Sequence, residues 1–337
     1  MSIPSNRSIS ICFVKALIAK SNLSESAKQS LLLEANINPA SLETERTRVS
    51  PAQFAQLYEL ICLKTLDFSL GYYQRPVTKG VTETMARYCR EADNLLQAVE
   101  RNVEFYNLFE TGFRLSFQLR DRYAFYRMEP TEENAELDTW LYEHHLMVSH
   151  RIFCWLTGTP FPLLRVNLGY APPAHREEYH YLFHCEYRFE QSHHEMIFDR
   201  QYLNLPLVRG PAELEDYLRR MPYEFLKVPE QESSYTTQIR KYLKRALPAL
   251  PSYDQIANSL GLTPQTLRRR LALEGCDYRQ LKSEFLRETA ISMLNDAHAD
   301  ITSISYQLGF SEPSAFIRSF KSWTGTTPHA YRQSVLQ

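Results

Sequence analysis

Only ten glycines stand among the 337 residues, and none of them builds a phosphate-cradling loop or the G-x-S-x-G turn of a serine hydrolase. No nucleophile sits beside a recognisable base. C-x-x-C pairs are also missing: Cys12, Cys62, Cys89, Cys154, Cys185 and Cys276 are scattered, which speaks against zinc or dithiol redox chemistry and for reduced, buried thiols. No apolar run approaches the ~20 residues that cross a bilayer. The patch from Ile9 to Val14 is broken by Ser10 and followed by Lys15, too short for a secretory segment. A large excess of one charge is lacking too, since the formal net charge is -1. These absences predict a cytoplasmic protein that is not an enzyme, holds no metal or cofactor and does not span a membrane.

The charge that is present lies unevenly. From Thr236 to the end the chain carries 13 Lys and Arg against 8 Asp and Glu, whereas residues 1–235 carry 25 against 31. A basic end on an acidic body fits a DNA-reading domain joined to a domain with another task. The basic end also repeats itself. Ile256-Ala-Asn-Ser-Leu-Gly-Leu262 returns 48 residues later as Ile304-Ser-Tyr-Gln-Leu-Gly-Phe310, and each copy opens into a second helical segment. The Ile and Leu pack a short helix inward and the Gly takes a turn that a side chain would crowd, which is the pattern of a helix-turn-helix unit.

In the second helix of the first copy, Leu267 and Leu271 lie one turn apart and mark the buried side, which turns Gln265 and Arg269 outward with Arg268 beside them. Phe316 and Phe320 act alike in the second copy and leave Ser314, Arg318 and Lys321 outward, with Arg318 matching Arg269. Arg can donate two parallel hydrogen bonds to guanine, and Gln can pair with adenine. Any solvated helix face carries such residues, but their recurrence in register favours the reading of duplex DNA. Between the copies, Leu281, Phe285, Leu286, Thr289, Ala290, Met293 and Leu294 recur at three- and four-residue spacing, which predicts one helix over Tyr278–Asn295. Such a helix spans roughly 25 Å and can hold two reading helices about one DNA turn apart, so that one chain engages two successive major-groove segments.

These residues resemble the DNA-binding domain of the AraC/XylS transcriptional regulators. The likeness runs from Ile256 through Thr263-Pro-Gln-Thr-Leu-Arg-Arg-Arg-Leu271 and Glu274-Gly275, then Arg287, Ala290 and Leu294, then Ile304 to Lys321, Trp323-Thr-Gly325 and the closing Thr327-Pro-His-Ala-Tyr-Arg332. By this resemblance the base-contacting positions fall on Gln265, Arg268 and Arg269 in the first unit and on Pro313, Ser314, Ile317 and Arg318 in the second. Pro313 and Ile317 have no side-chain donor, so the second unit would lean on thymine methyls and phosphate contacts, the latter including Lys321. The resemblance also implies RNA polymerase as a partner and a role as an activator.

The first 230 residues read as mixed α and β. Ser50-Pro51 starts a helix with Phe54, Leu57, Tyr58, Ile61 and Cys62 inward, and Leu95 to Tyr106 gives another. Alternation in Phe113, Leu115, Phe117 and Leu119, a turn at Asp121-Arg122 and a partner over Tyr123–Met128 predict a hairpin. Helices are expected over 137–156, 212–220 and 238–247, and strands over 164–168 and 195–199. The order and spacing of Arg48-Val-Ser-Pro-Ala-Gln-Phe54, Phe68-Ser-Leu-Gly71, Asn94-Leu-Leu-Gln-Ala-Val99 and Leu205-Pro-Leu207 resemble the arabinose-binding-type effector domain of the ornithine-responsive branch of the same family. The expected architecture is thus an α+β effector and dimerisation domain over 1–230, a linker over 231–237 that proteases would cut near Glu230–Tyr235, and an all-α domain over 231–337 with two helix-turn-helix units joined by a helix.

Two readings compete for the first domain: a sensor of a small amino-acid-like or fatty-acid-like carboxylate, or a constitutive module that only forms a homodimer or contacts RNA polymerase. An internal cavity of about 300 Å³ or more with aromatic walls and one or two arginines separates them. Aromatic residues Tyr170, Tyr179, Tyr181, Phe183, Tyr187 and Phe189 near Arg176 and Arg188 offer such walls, although aromatic strand residues are more often core. His180 and His184 have the spacing of a helical metal pair without the glutamate of H-E-x-x-H, position 181 being Tyr. A dimer contact is expected on the helix within Ala135–Leu156, where Trp140, Leu141, His144, Val148 and Trp155 exceed one core-facing stripe; burial on both sides is the equal alternative.

Overall fold

The computed structural model describes residues 8–131, 137–227, 234–294 and 299–336. Contacts divide them into two bodies: a sheet body drawn from Ala16–Asn22 and Ile61–Gln231, and a helical body drawn from Met1–Lys15, Leu23–Leu60 and Glu232–Gln337. The chain opens with strand β1 (Ile9–Ser10), helices α1 (Ile11–Ala19) and α2 (Glu25–Glu34), strand β2 (Arg48–Val49) antiparallel to β1, and helix α3 (Pro51–Thr65). At the start of α3 the Ser50 amide donates to Gln53 Oε1 at 2.9 Å and the Gln53 amide donates to Ser50 Oγ at 3.2 Å, a reciprocal cap on the expected Ser-Pro start.

Helices α4 (Val81–Arg90) and α5 (Leu95–Tyr106) lead to the expected hairpin, β3 (Phe113–Arg120) and β4 (Tyr123–Pro130), with Asp121 left-handed at the turn. Then come α6 (Thr139–Thr157), β5 (Leu163–Asn167), α7 (Tyr179–Phe183), β6 (Glu186–Arg188), β7 (His194–Asp199), α8 (Pro211–Arg219) and α9 (Tyr223–Leu226). One sheet runs β3-β4-β7-β5-β6, antiparallel except for β5 beside β6. Alternation buries Ala124, Tyr126 and Met128 on β4. The single hydroxyl proton of Tyr126 goes to Asn102 Oδ1 at 2.7 Å, which leaves His145 Nε2, 3.0 Å away on α6, as donor.

Helix α6 is buried nearly all round, Trp140, Leu141 and Val148 included. Its apolar excess is therefore used inside the chain and does not form the expected dimer face; Ala135 and Glu136 lie outside the described residues.

The helical body continues with α10 (Tyr235–Ala246), α11 (Tyr253–Ser259), α12 (Pro264–Leu273), α13 (Tyr278–Leu294), α14 (Ile301–Gln307), α15 (Pro313–Thr324) and α16 (Pro328–Leu336). Helix α13 matches its expected span as far as Leu294, Asn295 lying outside the described residues. A single apolar cluster joins Ile239 and Leu243 of α10 to Ile256, Leu267, Leu271, Leu281, Phe285, Ile304, Phe316, Phe320 and Tyr331. Both helix-turn-helix units thus share one core. Helix α10 starts at Tyr235 with Ser234 capping Thr237 N, so residues 235–237 are helical where a linker was expected. Residues 230–233 of the expected cleavage segment lie outside the described residues.

The division of the chain differs from a cut at residue 230. Ser8 donates through its amide and hydroxyl to the Glu288 carboxylate on α13, at 2.6 and 2.9 Å, and Arg48 Nε donates to Ser8 Oγ at 2.7 Å. Arg46 Nη1 donates to the Ser322 carbonyl on α15 at 3.0 Å, and a Cβ on Gly325 would lie 2.6 Å from Thr44 Cγ2. All but the Arg48–Ser8 bond join residues some 280 apart in sequence, which leave no local period to read.

Two outcomes follow for stability. Gly261 and Gly309 close the two turns at φ 68° and 84°; a Cβ on Gly261 meets nothing within 4 Å, whereas one on Gly309 would stand 2.2 Å from the Pro248 carbonyl oxygen. Urea unfolding of the whole chain should show a loss of about 1–2 kcal/mol for Gly261→Ala, the left-handed cost alone, and a clearly larger loss for Gly309→Ala. Equal losses would mean that the Gly309 turn is not so closed. Burial also holds His144, His145, His150 and His194 neutral, lowering them from 6.5 to about 4, 3, 4 and 4. The unfolded chain takes up these protons first, so their stabilisation is complete above pH 6.5 and is lost as pH falls towards 4. The slope is at most about 1.4 kcal/mol per pH unit for each of the three on α6. His175 is shifted upward and acts in the opposite sense. The urea midpoint should drop steadily from pH 6.5 to 4.5; a flat profile would contradict burial of neutral imidazoles.

Candidate nucleic-acid interface

Each turn is built by local chemistry. Ser252 and Gln255 cap α11 reciprocally, Ile256 and Ala257 are buried, and the Leu262 amide donates to the Ala257 carbonyl at 2.9 Å across the glycine turn. Thr263 then caps α12 through Thr266 N, with Pro264 in the first turn. The second unit repeats this with other residues: Asp300 accepts from Ser303 N at 2.9 Å, Ile304 and Leu308 are buried, the Phe310 amide donates to the Ser305 carbonyl at 3.1 Å, and Pro313 starts α15.

Leu267 and Leu271 are buried on α12, and Gln265, Arg268 and Arg269 are exposed on it. With Thr266 and Ala272 they line an open hollow of about 420 Å³. None of the three makes a hydrogen bond or ion pair among the described residues, so their donors face solvent uncommitted. On α15, Phe316 and Phe320 are fully buried, Ser314, Ile317, Arg318 and Lys321 are exposed, and Pro313 is half-buried. Arg318 differs from Arg269 in one respect: its Nη2 donates to Glu312 Oε1 at 3.2 Å. The Glu312 carboxyl is lowered from its ordinary value, first by its hydrogen bond with Ser314 and then by Arg318. A nucleic-acid contact at Arg318 has to displace or share that exposed pair, which solvent screens strongly.

The sheet body holds the other features. His184 ends α7 in the left-handed conformation, so it and His180 do not share a helix face, and His180 Nδ1 donates to the Glu177 carbonyl at 2.7 Å. Of the aromatic residues, Tyr179 and Phe183 are buried and Tyr170, Tyr181, Tyr187 and Phe189 are half-buried, and Tyr179 meets a buried carboxylate. Glu143 accepts from His175 Nε2 at 2.7 Å and from the Tyr179 hydroxyl, and Tyr170 and Tyr179 hydroxyls lie 2.8 Å apart. Burial alone would lower His175, but the hydrogen bond and charge of Glu143 outweigh it. Arg176 and Arg188 are exposed, and Arg188 Nε pairs with Glu186 at 2.6 Å, so they do not close a pocket with these rings. A cleft of about 190 Å³ lies elsewhere in this body, beside Arg151, Trp155, Arg209, Tyr217, Glu224 and Lys227. It is smaller than the cavity expected for a sensor. Its residues come from four separate stretches, and only their assembly by the fold makes them a site.

Comparison with known proteins agrees with this geometry. Residues 27–207 match the arabinose-binding domain of AraC transcription regulators, N-terminal part, and residues 256–334 match a helix-turn-helix domain. The chain is 25% identical over 312 residues to the ornithine utilization regulator of Pseudomonas aeruginosa, covering 91% of each protein. It is 30% identical over 98 residues to the virulence regulon transcriptional activator VirF of Shigella flexneri, 29% of this chain and 37% of that one. The crystal structure of the regulator CdpR from Pseudomonas aeruginosa aligns with a TM-score of 0.32 at 22% identity, over 93% of this chain and 99% of that one. With an arabinose-binding-type domain over half its length and a double helix-turn-helix at its end, the chain belongs to the AraC family of transcriptional regulators.

Proposed function

We propose that the protein is a sequence-specific activator of transcription that reads DNA through α12 and α15 and answers to a small carboxylate-bearing effector held in the sheet body. The observation that carries the DNA reading is the exposed row Gln265, Arg268 and Arg269, whose donors no residue of the chain occupies among those described. Arg269 and Gln265 are the base readers, and Arg318 is the corresponding reader on α15. Ser314, Pro313 and Ile317 line the approach of α15, where apolar contact with thymine methyls replaces hydrogen bonding, and Lys321 takes a phosphate. The activating sense follows the name of the Shigella flexneri relative, and contact with RNA polymerase goes with it.

One chain carries both reading helices, so a monomer suffices for a two-segment contact. A homodimer would align two such sites and raise affinity through effective concentration. Effector control rests on the arabinose-binding-type match and on the aromatic cleft; the ligand acts by binding one arrangement of the protein better than another.

Titration of the cognate operator and its single-base variants tests the assignment. Arg269→Ala should cost about 1–3 kcal/mol and relax preference at one base position, whereas Lys321→Ala should weaken all sequences alike and make the salt slope shallower by about one. If Arg269→Ala leaves base preference intact, Arg269 touches only phosphate and the reading assignment falls. Sedimentation of the whole chain at tens of micromolar decides the homodimer: a single species of 39.5 kDa, with and without candidate carboxylates, would remove it.

A further inference from the structure

The two reading helices are tied down at their C-terminal ends by different parts of the chain. Just past α12, the Glu274 carboxylate accepts from the amides of Tyr235 and Thr236 at the start of α10, at 2.8 Å each, so this end is held from nearby sequence. At the end of α15 the tie comes from a residue 276 positions earlier. Arg46 Nη1 donates to the Ser322 carbonyl, one of those that a last helical turn leaves without a partner, and its charge meets the negative end of the helix dipole. Thr44 closes on Gly325, the left-handed residue (φ 77°) that stops α15, where a Cβ would lie 2.6 Å from Thr44 Cγ2.

Residues 44 and 46 are in turn fixed by a buried polar network. The Thr47 amide donates to the Thr44 carbonyl at 3.0 Å and the Ile11 amide to the Thr47 carbonyl at 2.9 Å, so the turn over 44–47 runs directly into the β1-β2 pair. Arg48, 6% exposed, donates from Nη2 to the Ser8 carbonyl at 2.7 Å besides its bond to Ser8 Oγ. Ser8 holds the Glu288 carboxylate of α13, which Arg287 Nε also meets at 3.1 Å. The charges of Glu288, Arg48 and Arg287 all act on the buried Tyr331 of α16, whose ring stands edge-on to Phe320 of α15 with centroids 5.6 Å apart. The strand pair therefore reaches α15 by two routes, at its end directly and at Phe320 through α13 and α16. Residues 44–49 lie within the stretch 27–207 that matches an arabinose-binding domain and outside 256–334, yet contacts place residues 23–60 in the helical body.

We infer that β1, β2 and the 44–47 turn form a brace that positions the second reading helix, and that Arg46 and Arg48 are positioning residues for DNA contact by α15. This role rests on the proposed reading of DNA by α15 and adds a requirement to it. The helix-turn-helix residues and α10 fix α12 by themselves, whereas α15 depends on residues 8–49 as well.

Hydrogen exchange of the unbound full chain, together with titration of the cognate operator and of one whose α15 segment is scrambled, tests this. Arg48→Met should speed exchange of α15 and α16 amides at least about tenfold, and Arg46→Ala that of the last turn of α15 about threefold, with α12 unchanged. Affinity for the intact operator should fall by similar factors, and affinity for the scrambled one should stay at the wild-type value. A general loss of stability would instead weaken both operators alike and speed α12 as well, which overturns the brace. So does unchanged exchange in α15, or unchanged affinity for the intact operator. Should Arg48→Met not fold, Arg46→Ala, on an exposed side chain, decides alone. A wild-type protein that binds both operators equally ends the reading by α15, and the exchange pattern then still decides the brace.

Discussion

Burial of Leu267 and Leu271 on α12, and of Phe316 and Phe320 on α15, against the same apolar cluster decides what the helical body shows to solvent. Each side chain that enters the core turns the residues two positions away outward, so the exposure of Arg269 and Arg318 is a consequence of packing. Helix α13 supplies the common surface through Leu281, Phe285, Leu286, Ala290 and Leu294. Its buried Glu284 is matched by Arg240 Nη2 of α10 at 2.9 Å. Loss of that core would disorganise both reading helices together, which makes the double unit one folding module with two outward faces.

Much of this was legible because the signals are local. A three- and four-residue period, a Ser or Thr cap and a glycine turn each act within a few residues, so α11 to α15 and the hairpin β3-β4 could be read with their faces. What escaped were consequences of distant packing. Ser8 engages α13 by two hydrogen bonds and Arg46 engages α15 by one, and they tie the early residues of the chain to the helical body, where sequence pattern placed them with the sheet. Helix α6 carried an apolar excess that suits either a partner surface or a two-sided core, and only the neighbours seen in the fold show that it is core. The four-residue spacing of His180 and His184 failed for a simple reason: α7 stops at Phe183.

The two bodies use polar groups differently. In the sheet body many are buried and paired with one another, as in the chain from His175 and Tyr179 to Glu143, or in Arg127 with Glu195 and Asn167, while Glu143 Oε2 and Asn167 Oδ1 accept no hydrogen bond within the chain. Buried polar pairs of this kind are strong in a low dielectric, and each atom left unpaired is costly. On α12, Gln265, Arg268 and Arg269 are exposed and make no hydrogen bond or ion pair among the described residues. Donors left without partners on a helix can meet a ligand without breaking a bond inside the chain, at the cost of ordering long side chains.

The central claim is that one chain reads two successive major-groove segments. Guanine-N7 methylation interference on the cognate operator, with the protein at a concentration where it is monomeric, tests it most directly. Two interference segments are expected about one helical turn, ~10–10.5 base pairs, apart on one face of the duplex, of which Arg269→Ala removes one and Arg318→Ala the other. A single segment, lost in full with either substitution, would contradict it.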